Sequence, residues 1–275
     1  MQVYRHMDIG TAKPSPADRA RLPHHLVDVA EPSEQFNVGR FVTETEALLA
    51  PIRGRGRVPV VAGGTAFYIT SFLFGLPEAP AANPETRARI RAIEREQGLD
   101  ALYRLLGERD PEAAARIQRH DRYRIARALE VIEDTGRSLF SFRWPRTVRT
   151  DMSFLIIGLD RPRADVYRRI DKRVRRMFET GLVSEVKMLR EMGFGPRDPG
   201  MRGIGYRELL GMRTGCETLR QVEAGIAAAT RRYAKRQLTF FRAVPGVRWM
   251  SPDDPDALRR RMESFLEGRA GAASS

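Results

Sequence analysis

The stretch Arg57-Val-Pro-Val-Val-Ala-Gly-Gly-Thr65 says most about the fold. Its short run of valine and alanine is typical of a buried β-strand, and the glycine pair predicts a tight turn after it. A helix is expected from Ala66, with Thr65 placed to cap it. In α/β nucleotide-binding folds a strand, turn and helix in this order aim backbone N–H groups at phosphate. The stretch therefore predicts an α/β core, although a plain turn with a capped helix remains an alternative.

Two further strands and a helical block complete the predicted layout. Phe154-Leu-Ile-Ile-Gly-Leu159 is predicted as a buried strand and Val247-Arg-Trp-Met250 as a short one. Residues 77–150 are polar and helical by pattern, and a strand-free block between strands of one sheet predicts an inserted helical domain. We expect a discontinuous α/β core over residues 1–76 and 151–267, an insertion over 77–150, and a disordered tail over 268–275.

The charge balance favours a polyanionic partner. Among 275 residues, 48 Lys and Arg stand against 35 Asp and Glu, which gives a net charge of +13. Each phosphate that such a surface neutralises releases condensed counterions, and this release drives nucleic-acid binding. A genome that uses arginine in place of lysine is an alternative explanation, so the placement of the charge matters more than its sum.

Composition also bears on location and metals. No apolar run approaches the roughly 18 residues of a membrane helix, and the first residues do not form a signal peptide. The single cysteine, Cys216, excludes an intramolecular disulfide and fits a reducing compartment, so a cytoplasmic protein without membrane association is expected. His24-His25 stands without a further His/Cys cluster, which favours a surface or capping role over metal binding.

Two late helices concentrate the positive charge. The first covers residues 164 to about 180, and its Arg169, Arg173 and Arg176 share one stripe that can grip a diphosphate. The second covers about 219–243, where arginines and lysines surround Phe240 and Phe241. A solvated helix face is the ordinary explanation for such runs. Against it, carboxylates at the i+4 positions are scarce, so an anionic partner explains the uncompensated charge better.

Five separated stretches, in order along the chain, resemble the tRNA dimethylallyltransferase family. They are Gln2-Val-Tyr-Arg-His-Met-Asp-Ile-Gly-Thr-Ala-Lys-Pro14, Pro59-Val-Val-Ala-Gly-Gly-Thr-Ala-Phe-Tyr68, Asp121-Arg-Tyr-Arg-Ile-Ala-Arg-Ala-Leu-Glu130, Arg202-Gly-Ile-Gly-Tyr-Arg207 and Lys235-Arg-Gln-Leu-Thr-Phe-Phe-Arg242. Any one of them is weak evidence. Five in family order, spanning residues 2 to about 250, make a chance match very improbable.

The resemblance implies a P-loop kinase-like parallel sheet with an inserted helical domain that binds the anticodon arm. It implies transfer of dimethylallyl from dimethylallyl diphosphate to N6 of adenosine 37, in tRNAs that read codons starting with U, by a monomer that uses Mg²⁺. Arg173 matches the arginine that holds the diphosphate, and Thr65 and Arg173 are the implied catalytic residues. The implied tRNA contacts are Thr65, Arg87, Tyr123, Arg124, Ile125, Ala126, Arg127, Arg202, Gly203, Ile204, Gly205, Tyr206, Arg207, Lys235, Arg236, Gln237, Leu238, Thr239, Phe240, Phe241 and Arg242.

The sequence departs from the family pattern at its beginning. The family opens with a glycine-rich loop ending in Lys-Thr/Ser, which supplies the Mg²⁺ ligand, and carries an Asp-Ser pair that includes the expected general base. Nothing in this chain matches either, and Met1 stands where the Asp-Ser pair would have ended. We therefore expect Met1 to be an internal methionine of a longer protein, the first strands of the sheet to be missing, and the chain as written to be poorly stable and nearly inactive.

Two other functions compete with prenyl transfer. One is a non-catalytic remnant of the family that binds an anticodon arm. The other is a small-molecule kinase on the same fold, which needs no basic surface of this extent and is therefore disfavoured.

Overall fold

The computed structural model describes residues 1–81, 83–212 and 218–272, with side chains described up to residue 268. Cys216 lies outside these residues. The chain divides into two compact units, Met1–Phe72 with Thr150–Ser275, and Leu73–Arg149. Among the described residues no helix combines the length and the apolar character needed to cross a bilayer.

The larger unit contains a two-stranded parallel sheet. Strand β1 (Ile157–Leu159) pairs with β2 (Arg248–Met250), with Gly158 opposite Trp249. A Cβ at Gly158 would lie 2.7 Å from the Trp249 ring, so only glycine lets the ring pack on the strand. Both predicted strands are thus present, each shorter than predicted, but β1 is not the buried strand that was expected, since Leu159 is 57% exposed. Together with the helices around it, this sheet gives the α/β class that the sequence predicts.

The predicted strand within residues 57–65 is wrong. The backbone is irregular from Val58 to Gly63, and Val60 is 80% exposed. A strand is stabilised by ladder hydrogen bonds and by packing on both faces. No described segment pairs with this one, so its valines gain neither kind of contact.

Two apolar clusters lie among the helices of the larger unit. Numbered along the whole chain, these helices are α1 (Pro16–Arg21), α2 (Val38–Gly54), α3 (Ala66–Phe74, whose last two residues belong to the smaller unit), α8 (Arg163–Glu179), α9 (Leu182–Glu191), α10 (Tyr206–Leu210), α11 (Leu219–Arg242) and α12 (Pro255–Ala272). The sequence places Val166, Ile170, Val174 and Met177 on one face of α8 at helical spacing, and Ile170 and Val174 pack against Val222 and Ile226 of α11. Helix α12 reaches Ala272, so the helix extends past the predicted start of a disordered tail at residue 268.

The smaller unit is helical in its described residues. It contains α4 (Pro84–Gln97), α5 (Leu99–Arg109), α6 (Pro111–Arg116), α7 (Arg122–Thr135) and a 3₁₀ turn (Leu139–Ser141). Asn83, Asp110 and Asp121 accept N–H bonds at the starts of α4, α6 and α7, as expected of N-cap residues. Leu102, Leu106 and Leu129 are fully buried in its own apolar cluster.

Candidate functional site

The glycine turn before α3 is held by α11. The side chain of Gln237 donates to the Gly64 carbonyl at 2.5 Å, and the Tyr233 hydroxyl lies 3.5 Å from the same oxygen. The Thr65 carbonyl accepts the N–H groups of Tyr68 and Ile69, which begins α3 as predicted. Thr65 is exposed, whereas Gln237, an implied RNA contact, is engaged within the protein. Helix α11 therefore holds the glycine turn in place through these contacts.

Gly64→Ala is expected to break this contact. A Cβ at Gly64 would lie 3.0 Å from Cδ of Gln237 and closer still to its Nε2, so the amide must swing away. We expect a loss of about 1 kcal/mol in the free energy of unfolding, the usual size of one net hydrogen bond, measured by urea denaturation. Gly63→Ala is the matched control, because its Cβ would meet only Ile69, at 4.0 Å. In a Gln237→Ala background the cost of Gly64→Ala should vanish, and an undiminished cost there would contradict this explanation.

Arg173 on α8 is a cation without a counter-ion. Its Nη2 donates to the Thr11 carbonyl at 3.4 Å, and no described carboxylate lies within 4.0 Å of its guanidinium. Burial lowers the pKa of Arg173, because desolvation disfavours its charged form. Arg173 nevertheless keeps exposed surface, and an arginine stays protonated at neutral pH, which leaves a positive charge that a phosphate group can reach.

Of the three arginines in the predicted stripe, Arg169, Arg173 and Arg176, one is already paired with a carboxylate of the protein. Arg169 donates to Asp165 at 2.9 Å, and the same carboxylate also pairs with Arg168 and Arg161. These arginine contacts hold the pKa of Asp165 below its usual value. Arg176 has no carboxylate partner among the described residues. A diphosphate grip by all three stripe arginines would therefore require Arg169 to leave Asp165.

The loop of residues 7–13 beside Arg173 is tightly fixed. Lys13, only 2% exposed at its side chain, donates to the Tyr4 carbonyl at 2.8 Å and to Asp8 and Asp28 at 2.6 and 2.5 Å. The contacts from Lys13 and Arg19 lower the pKa of Asp28 against the effect of burial. On the other side of the loop, the N–H groups of Asp8, Ile9 and Gly10 converge on the carboxylate of Glu185 in α9.

The loop from Arg202 to Arg207 is less exposed than an RNA-binding loop would be. Tyr206 is 1% exposed and donates its hydroxyl to Glu185 at 2.6 Å, so its side chain belongs to the core, and the implied tRNA contact at this position stays a prediction. Gly203 and Gly205 are buried and Ile204 packs beside the α8–α11 cluster. Only Arg202 and Arg207 reach solvent with their charged groups.

Helix α11 carries an exposed basic face. We use this term for Arg232, Lys235, Arg236, Thr239 and Phe240, which line one shallow groove of about 440 Å³. None of its three cations has a carboxylate partner among the described residues. Phe240 is 45% exposed and meets Phe241 edge to face, with ring centroids 6.2 Å apart. Cations and open aromatic rings on one surface suit a single-stranded nucleic acid.

The remaining implied contacts of α11 lie beside this face. Leu238 and Arg242 line a neighbouring cleft of about 740 Å³ at the carboxyl ends of β1 and β2. Arg242 lies 4.0 Å from Asp160, which partly compensates its charge.

In the smaller unit, some of the implied tRNA contacts are exposed and others are buried or paired within the protein. Tyr123 is 58% exposed, and Arg124 is exposed with Asp121 at 3.5 Å. Ile125 is fully buried in the helical core, so its side chain packs inside the smaller unit, and the implied tRNA contact at this position stays a prediction. Arg87 and Arg127 both pair with the buried Glu130, at 3.1 and 3.4 Å, and Ala126 is half-buried.

A magnesium site is not formed by the residues described here. Within residues 1–81, 83–212 and 218–272, no three His, Cys, Asp or Glu side chains gather closely enough to hold a metal ion. Hard divalent cations prefer several oxygen ligands. Within these ranges there is therefore no preformed cluster of three such ligands, and no chemical step is assigned to Mg²⁺.

Sequence reasoning missed Glu185 completely. Its signal is visible only in retrospect: Glu185 stands on the same helical face as Leu182, Val186 and Leu189, all of which are buried. A carboxylate on an apolar stripe needs internal donors, because an unpaired buried charge is strongly destabilising.

Comparison with known proteins places most of this chain in one family. The family model described as IPP transferase matches residues 2–244. A tRNA dimethylallyltransferase 1 of Citrifermentans bemidjiense is 42% identical over 252 residues, which cover 91% of this chain and 81% of that protein.

Two solved structures are also similar. The full-length tRNA isopentenylpyrophosphate transferase of Bacillus halodurans is 34% identical with a TM-score of 0.68, covering 100% of this chain and 88% of that one. A eukaryotic dimethylallyltransferase described as acting on tRNA is 26% identical with a TM-score of 0.77, covering 98% of this chain and 71% of that one.

Proposed function

This chain belongs to the IPP transferase family, and from that premise we propose that it transfers a dimethylallyl group from dimethylallyl diphosphate to N6 of adenosine 37 in tRNA. The observation that carries the proposal is that one unit contains both Arg173, which has no carboxylate partner among the described residues, and the basic face, whose three cations lie beside the exposed ring of Phe240. The first suits a diphosphate and the second an RNA strand.

Arg173 is proposed to hold the diphosphate of the donor. As N6 forms its bond to the allylic carbon, the bond between that carbon and the diphosphate oxygen breaks, and its electron pair leaves with the diphosphate. The amine then passes one proton to solvent water, which completes the substitution. A fixed cation at the leaving oxygen stabilises the charge that develops there, because it needs no reorganisation during the reaction.

The basic face of α11 is proposed to bind the anticodon stem-loop. Arg232, Lys235 and Arg236 are free to meet phosphates, and Phe240 offers a surface on which a base can stack. In the smaller unit, Tyr123 and Arg124 offer a second pair of an aromatic ring and a cation. Thr65, Arg202 and Arg207 are the other exposed residues that we retain as RNA contacts.

The finer parts of the proposal follow the resemblance. They are a preference for tRNAs that read codons starting with U, action as a monomer in the cytoplasm, and a requirement for Mg²⁺. The high positive charge supports an RNA substrate over a small-molecule acceptor, since a nucleoside alone needs no extended cationic surface.

Deletion of the gene in its host tests the function in the cell. We expect prenylated adenosine to disappear from hydrolysed tRNA and to return when the gene is supplied again, as measured by mass spectrometry of nucleosides. Unchanged levels of the modified nucleoside, in a host without a second gene of this family, would contradict the proposal.

A further inference from the structure

The carboxylate of Glu185 is an unusually complete hydrogen-bond centre. It is 7% exposed and lies on α9, facing the loop of residues 7–13. Its Oε2 accepts the N–H groups of Asp8 and Ile9 at 2.8 and 2.7 Å. Its Oε1 accepts the N–H of Gly10 at 3.1 Å and the Tyr206 hydroxyl at 2.6 Å. Each oxygen therefore has two donors, so the buried carboxylate is stabilised by four hydrogen bonds from neutral groups.

Three consecutive N–H groups that converge on one point form a nest for an anion. In this loop the nest is filled by a carboxylate of the protein itself, so these N–H groups are not available to a ligand. The nest fixes one side of the loop and the three bonds of Lys13 fix another. The loop faces α8 with the Thr11 carbonyl, which accepts a hydrogen bond from the Arg173 guanidinium.

Gly10 and Tyr206 make this arrangement sterically specific. A Cβ at Gly10 would lie 2.6 Å from the Tyr206 ring, so only glycine lets the ring approach the loop. Burial raises the pKa of Tyr206, and the charge of Glu185 raises it further. The phenol therefore stays protonated at neutral pH and donates to Glu185.

We infer that Glu185 is a positioning residue for Arg173, with Tyr206 as its support. Glu185 holds the loop through its N–H groups, and Gln2 donates to the Thr11 carbonyl at 3.2 Å. Together they set the place of this carbonyl, which also accepts from one arm of the Arg173 guanidinium. The other donors of the guanidinium remain directed to the diphosphate. This inference rests on the proposed function and names the residues that orient its diphosphate site.

Glu185→Gln tests the inference with little change of shape. An amide replaces one acceptor oxygen with a donor, and either orientation of the amide faces two donors, so the loop should shift. We expect the dissociation constant of inorganic diphosphate to rise about 10-fold, because small misplacements of a binding group are costly. Tyr206→Phe should raise it less, because three donors to Glu185 remain. Affinity for an anticodon hairpin RNA should stay unchanged for both variants.

The control is Glu191→Gln, on the same helix but exposed, with Lys187 at 3.8 Å as its partner. It should change neither affinity. Equal loss of diphosphate and hairpin binding in Glu185→Gln and Tyr206→Phe would indicate a purely structural role and overturn the inference, as would diphosphate affinity unchanged in both. If Glu185→Gln fails to fold, Tyr206→Phe decides alone. Should Arg173→Ala bind diphosphate normally, the proposed function fails at its donor site, which is a separate result.

Discussion

Arg173→Ala is expected to lower the rate of prenyl transfer by about 100- to 1000-fold, the cost of removing one preorganised group that stabilises developing charge. The physical reason is that Arg173 is the partly desolvated cation of α8 without a carboxylate partner among the described residues. The measurement is the single-turnover rate with a labelled dimethylallyl diphosphate and an anticodon hairpin. Arg173→Lys should recover only part of the rate, since an ammonium lacks the planar fork that binds two oxygens.

Arg175→Ala provides the matched control for this result. Arg175 lies two residues away on the same helix, is exposed, and has no carboxylate partner in the described part of the chain. Its removal changes the net charge equally, so a general electrostatic effect would slow both variants alike. A rate in Arg173→Ala within about threefold of the parent protein, less than the effect of one lost hydrogen bond, would exclude the proposed role.

Removal of the three cations of the basic face should weaken RNA binding more than any other surface change. For the combined variant Arg232→Ala, Lys235→Ala and Arg236→Ala we expect an affinity for the hairpin lower by about 10- to 100-fold at low salt. The slope of log affinity against log salt should become shallower by about 2, since each lost single-strand phosphate contact contributes roughly 0.7. Fluorescence anisotropy across a salt series measures both quantities.

An equal loss of charge elsewhere separates a local contact from general attraction. Lys187, Arg190 and Arg175 are exposed residues outside the basic face, and their combined replacement by alanine removes the same three charges. This variant should retain most of the affinity and most of the salt slope. If both triple variants lose affinity equally, the basic face does not bind the RNA specifically.

The pattern of the sequence predicted elements best where packing follows local periodicity. The apolar stripe of α8 and the helices of the smaller unit have the 3.6-residue spacing that a buried face requires, and the structure contains them. The stretch 57–65 failed for the opposite reason. A strand depends on partners that are remote in the chain, and valines alone do not provide them.

The site was predictable only in part. Charge patterning and resemblance directed attention to Arg173 and to α11, but neither distinguishes a guanidinium that is free from one already paired, as Arg169 is with Asp165. Exposure also distinguishes the candidate RNA contacts from one another, because the side chains of Ile125 and Tyr206 lie in the core although both residues belong to the matching motifs. Glu185 was invisible because its partners are N–H groups of a loop more than a hundred residues away in sequence, which no local pattern encodes.

The most direct test is transfer itself. The full-length protein is incubated with labelled dimethylallyl diphosphate and an anticodon hairpin that carries adenosine at position 37, with a hairpin carrying guanosine there as the comparison. We predict that the label appears on the first RNA, at N6 of that adenosine after nucleoside analysis, and is absent from the second. Salt-sensitive binding of both hairpins without any transfer would contradict the assignment and leave a protein that only binds RNA.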